Sequence, residues 1–121
     1  MKIFVTGATG FTGSRLIPLL LKSGYAVRCL YRASSDRSPL AGLDIEWALG
    51  DVSDPQSLTS AMQGTDALVN VASLGFGHAD SIVSAATKAG VRRAVFISTT
   101  AIFTQLNAGS KKVRLAAEFA I

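Results

Sequence analysis

At 121 residues, with 49% hydrophobic and 17% charged side chains, the chain has the make-up of one globular, soluble, rather apolar domain spanning residues 1–121. Its formal charge of +4 is scattered over Arg28, Arg32 and Arg37, then Arg92 and Arg93, then Lys111, Lys112 and Arg114. No aromatic-plus-basic stripe joins them, which sets nucleic acid aside as a partner, and no run nears the ~18 apolar residues of a membrane span.

The first segment, Lys2 to Thr6, is a short β-branched and aromatic run that reads as a buried strand ending at Gly7. Phe11 to Ser23 carries apolar residues at helical spacing and is stopped by Gly24; Pro18 inside it implies either a bend or a late start. Ala26 to Tyr31 is a second strand. Ala33 to Leu43 is turn-rich, with room for one helical turn. Ile45 to Ala48 is a third strand, ended by Gly50-Asp51. Asp54-Pro55 then opens a helix to about Gln63, with Asp54 as N-cap and proline at the first helical position. Ala67 to Val71 is the fourth strand, Ala79 to Ala89 a small-residue helix stopped by Gly90, Ala94 to Ser98 the fifth strand, and Gly109 to Ile121 a final helix without a stop signal.

This alternation predicts a doubly wound α/β fold, a parallel sheet covered on both faces. KIFV, ALVNV and AVFI agree, because half-exposed strands would alternate apolar with polar. The N-terminus runs directly into a strand, with no leader, and the single Cys29 permits no intrachain disulfide; a cytoplasmic location is expected. Cys29, between apolar strand residues, reads as core. No metal site is expected.

The segment after the first strand is Gly7-Ala8-Thr9-Gly10-Phe11-Thr12-Gly13. Gly7 permits a tight turn, Gly10 lets the backbone approach a pyrophosphate, and Gly13 allows close packing of the helix. The backbone from Gly7 and Thr9 through Gly10, Phe11, Thr12 and Gly13 is therefore the expected phosphate seat, with the helix dipole assisting. The spacing is G-x-x-G-x-x-G rather than G-x-G-x-x-G, but it follows a strand and opens an amphipathic helix. A nicotinamide dinucleotide is the implied ligand. At the end of the second strand an acid would bind a ribose 2′-OH, whereas Arg32 stands there and suits a 2′-phosphate. NADP is the expected cofactor and NAD the alternative; an exposed loop cation is the plainer reading of Arg32.

Four stretches, GATGFTGSRL (7–16), GDVSDPQSL (50–58), TDALVNVAS (65–73) and VRRAVFISTTAIF (91–103), resemble the extended and atypical short-chain dehydrogenase/reductases, the group of nucleoside-diphosphate-sugar epimerases and NmrA-like proteins. The resemblance implies a Rossmann-type sheet in the order 3-2-1-4-5, with the cofactor across the strand-one/strand-four switch point. It places Asp51 and the backbone of Val52 beside the adenine, and Val71, Ala72 and Ser73 along the ribose and pyrophosphate. Thr99 is the closest match to the hydroxyl that polarises substrate in the family; alternatively, Ser98, Thr99 and Thr100 only end a strand and cap local backbone.

The family's Tyr and Lys are absent. Anchored on Glu118, Ser110 falls in the tyrosine's place and Arg114 in the lysine's, so the usual proton transfer is lost. His78, in a glycine-flanked loop after the fourth strand, reads either as a substituted acid/base near the nicotinamide or as a solvent-facing loop residue. Family members continue well past this length, so the C-terminal, substrate-binding part is expected to be missing and the substrate is unassigned. An oxidoreductase or epimerase/dehydratase type of chemistry then belongs to a longer chain, and a non-catalytic sensor or scaffold is the rival. An unfinished sheet edge at strand five would also allow pairing with a second copy.

Overall fold

Successive side chains of β1 (Lys2–Thr6) serve opposite faces of the sheet, as the two-residue period of a strand requires. Ile3 and Val5 join Val27, Cys29 and Ile17 in one core, while Phe4 joins Leu30, Leu58, Met62, Leu68 and Ile82 in another. These two cores make the sheet doubly wound. The computed structural model describes residues 1–73, 77–98 and 113. Within them β1 is followed by α1 (Phe11–Lys22), β2 (Ala26–Tyr31), β3 (Glu46–Leu49), α2 (Pro55–Met62), β4 (Ala67–Asn70), α3 (Ala79–Lys88) and β5 (Arg93–Phe96).

All pairings are parallel and the order is β3-β2-β1-β4-β5, as the family resemblance implied. The switch point therefore lies between β1 and β4, where Ile3 to Thr6 pair with Ala67 to Asn70. α1 covers one face, and α2 and α3 pack side by side on the other.

α1 runs from Phe11 to Lys22 with Pro18 inside it, so the helix does not start late. Its buried face is Gly13 and Ile17, and Pro18 is exposed on the solvent side. The turn-rich segment after β2 holds one 3-10 turn, Ser38–Leu40, whose Leu40 is buried under α1's core. β3 begins one residue later than its apolar run, because pairing with Arg28 to Tyr31 fixes its ends. β5 ends at Phe96, and its Arg93 to Val95 stretch is exposed although its sequence reads as interior. The expected helix over 109–121 lies outside the described residues apart from Val113, which is helical. Among the described residues no helix is long and apolar enough to cross a membrane.

The lower end of the sheet is held by polar contacts. Arg28 donates to Glu46, 2.8 Å away, and to the carbonyls of Ala61 and Gln63, so it ties β2 to β3 and to the end of α2. Lys2 reaches the other oxygen of Glu46 at 2.8 Å. These contacts lie at the strand starts and leave the C-terminal edge free for a ligand.

Candidate functional site

The loop that leaves β1 is made almost entirely of backbone. Gly7 has a φ of +75°, the left-handed region in which a side chain is strained, and a Cβ there would stand 2.5 Å from the Ala72 nitrogen. Gly13 is equally constrained: a Cβ would meet the Gly7 carbonyl oxygen at 2.1 Å and the Ala8 Cα at 2.7 Å. The helix thus packs closely on its own loop. Gly10 differs from both. A Cβ on it would meet only the Gly7 oxygen, at an ordinary 3.5 Å, so the fold itself leaves room there.

Gly10 is also the residue on which α1 starts. No side chain caps that helix and no acid stands in its first turn. The Gly10 carbonyl accepts the Ser14 amide at 2.9 Å, so the amides of the intervening first turn have no intrahelical acceptor. α2 begins in the opposite way: the Asp54 carboxylate accepts from the amides of Gln56 and Ser57. The start of α1 is therefore open to an anion, and that of α2 is already closed by the chain's own carboxylate.

The opening of α1 faces a cleft of about 770 Å³, within the range of small-molecule sites. Gly7, Thr9 and Gly10 form its floor, Val71, Ala72 and Ser73 one wall, and Arg32 and Val52 the far end. These predicted residues converge as expected. Phe11, Thr12 and Gly13 do not line the cleft; Gly13 is buried under the loop, and the exposed Phe11 ring lies beneath the Arg15 guanidinium at 3.6 Å. Asp51 does not line it either. Its carboxylate turns back to accept the Ser53 amide and hydroxyl at 2.9 and 2.8 Å. Those hydrogen bonds hold its carboxyl below the usual carboxylate range, helped by the positive charges of Arg32 and His78.

His78 reaches the cleft and is the residue on which α3 starts. Thr99, Thr100, Ser110, Arg114 and Glu118, on which the catalytic reading depended, lie outside the described residues. Cys29 is in the core, and burial pushes its thiol up to about 12, consistent with a packing role.

Several site features escaped the sequence reading. Leu30, Tyr31 and Ser35 also line the cleft. The Ser35 hydroxyl accepts the Arg32 amide and the Ser35 amide returns to the Arg32 carbonyl, both at 2.9 Å, which fixes the turn presenting Arg32. Arg37 lies over the Tyr31 ring at 4.3 Å, and Tyr31 meets Trp47 edge-on at 5.8 Å, so this loop is anchored to β3. Below the floor, the fully buried Thr6 donates its hydroxyl to the Asn70 side-chain oxygen, and Asn70 donates to the Ala72 carbonyl at 3.0 Å. This pair fixes the β4 turn that stands against Gly7. The signal was available: an asparagine inside the apolar run ALVNV needs partners if buried.

A family model described as NAD(P)H-binding matches residues 7–118. A Synechocystis sp. protein that carries the name dihydroflavonol 4-reductase is 39% identical over 112 residues, which cover 81% of this chain and 32% of that protein. The triphenylmethane reductase of Citrobacter sp. is 29% identical with a TM-score of 0.82, covering 100% of this chain and 45% of its own. An NADPH-dependent quinone oxidoreductase of Escherichia coli is 27% identical with a TM-score of 0.79, covering 97% and 42%. The chain spans about a third of the length of the curated relative.

Proposed function

The chain belongs to the NAD(P)H-binding family and forms the dinucleotide-binding part of the epimerase/reductase superfamily, and from that premise we propose that it holds NADP(H) in preference to NAD(H). The cleft suits such a ligand. The space at Gly10 lets the pyrophosphate approach the backbone, and the uncapped amides of α1 supply donors for it. The adenosine half then extends over β2 and β3 toward Val52, and the nicotinamide half toward β4 and β5. When bound, the nicotinamide supplies hydride chemistry. The residues described here bind and orient it.

The observation that carries the NADP preference is Arg32. It is exposed, lines the cleft at the end of β2, and has no carboxylate within ion-pair distance among the described residues. A guanidinium carried on the backbone turn that Ser35 fixes can meet a 2′-phosphate with charge-assisted hydrogen bonds. Titration of the wild-type chain and Arg32→Ala with NADPH and NADH tests this. The variant should lose about 1.5–3 kcal/mol of NADPH binding and almost none of NADH binding. Equal losses for the two coenzymes would contradict it.

For the whole protein we propose reduction of a small carbonyl or quinone substrate, supported by the reductase and oxidoreductase relatives. A second reading, a dinucleotide sensor without turnover, is favoured by Ser110 and Arg114 in the places of the family's tyrosine and lysine. NADPH oxidation with quinone or carbonyl acceptors would support the first, and tight binding with no oxidation the second.

A further inference from the structure

The floor of the cleft meets its wall where Gly7 stands against the turn after β4. A Cβ on Gly7 would lie 2.5 Å from the Ala72 nitrogen and 2.8 Å from the Val71 carbonyl carbon. That contact also places the opening of α1, because the Gly7 carbonyl accepts the amide of Gly10, the residue on which the helix starts, at 3.3 Å. Two ties hold the turn against β1. One is backbone: the Val71 amide donates to the Thr6 carbonyl at 2.9 Å. The other is made of side chains. The Thr6 hydroxyl donates to the Asn70 side-chain oxygen, and the Asn70 amide donates to the Ala72 carbonyl at 3.0 Å. Thr6 and Asn70 are opposite each other in the sheet and fully buried, so neither can exchange its partner for water.

The strands themselves do not need a polar pair here. Two residues earlier on the same face, Phe4 and Leu68 stand opposite each other and are buried in the core as an apolar pair. Replacing both members of a buried hydrogen-bonded pair by apolar groups of the same shape costs a fold little. What the polar pair adds is reach: β4 ends at Asn70, and its amide grips Ala72 two residues further on, in the cleft wall. We infer that Thr6 and Asn70 are positioning residues for the pyrophosphate seat. They set the Ala72 turn against Gly7, and through Gly7 the gap between the cleft wall and the open amides of α1. The inference rests on the reading of the cleft as a dinucleotide seat. Both coenzymes carry the same two linked phosphates, so the pair acts on NADPH and NADH alike, unlike Arg32.

The test separates stability from affinity. Wild type and the double variant Thr6→Val/Asn70→Leu are melted without ligand and titrated with NADPH and with NADH. The apolar double variant should melt close to wild type yet bind both coenzymes roughly tenfold more weakly, as for one lost hydrogen bond to a charged group. Wild-type affinity in the double variant would overturn the inference, as would a loss confined to NADPH. Should the double variant not fold, Thr6→Val and Thr6→Ser give the same answer. Thr6→Val removes the donor and should weaken both coenzymes, whereas Thr6→Ser keeps the hydroxyl and should restore them. A serine variant as weak as the valine variant, or affinity that falls only in step with melting temperature, would refute the positioning role. If wild type binds neither coenzyme, the seat fails and this inference with it; wild-type binding with an unaffected double variant refutes the inference alone.

Discussion

α1 and α2 are two helices that start at the same edge of the sheet and are finished in opposite ways. α2 begins on Asp54, whose carboxylate accepts two of its first amides, and on Pro55, which has no amide to satisfy. α1 begins on Gly10, with no side-chain cap and no acid in its first turn, above a cleft of about 770 Å³. A helix start with unpaired amides is normally capped by Ser, Thr, Asp or Asn at a gain of about 0.5–2 kcal/mol over Ala. This chain takes that stabilisation at α2 and leaves it aside at α1. On the proposed function, the missing acceptor at α1 is supplied from outside, by the two linked phosphates of the coenzyme.

The largest expected effect comes from moving the cap. Gly10→Asp places on α1 the carboxylate that α2 already has, at a position with an extended φ of −77° and space for a Cβ. The fold should survive, with an unchanged far-ultraviolet spectrum and melting temperature. NADPH and NADH should both be lost, by several kcal/mol, since a fixed anion would occupy the phosphate's place and repel it. Retained binding in a folded variant would break the comparison. Removing the cap from α2 is the smaller, reciprocal change. Asp54→Ala should lower stability by about 1 kcal/mol in denaturant unfolding and leave coenzyme affinity unchanged. A loss of binding there would mean that the two helix starts are not independent.

Much of this was legible in the residues. The element succession and the glycine loop followed from spacing, because turns, stops and buried strands are punctuated locally, and the strand order followed from the family resemblance. Gly7 and Gly13 proved indispensable to the loop, and Gly10 to the opening above it, a division visible only once neighbouring atoms are placed. Two features depended on partners far away in sequence, and a third on a local choice. Asn70 finds Thr6 across the switch point, 64 residues apart. Tyr31 and Arg37 become a loop anchor only when β3 brings Trp47 beside them. Asp51, adjacent to the cleft-lining Val52, spends its carboxylate on Ser53, a choice between local amide and distant ligand that sequence does not decide.

The most direct test is an amide map of the ¹⁵N-labelled chain titrated with NADPH. The amides of the cleft floor, Gly7, Thr9 and Gly10, and those of the uncapped first turn of α1 behind it should move most, and those of Gln56 and Ser57 at the capped start of α2 should stay in place. Shifts concentrated at 55–57, or no shifts in the first turn of α1 at millimolar coenzyme, would contradict the account.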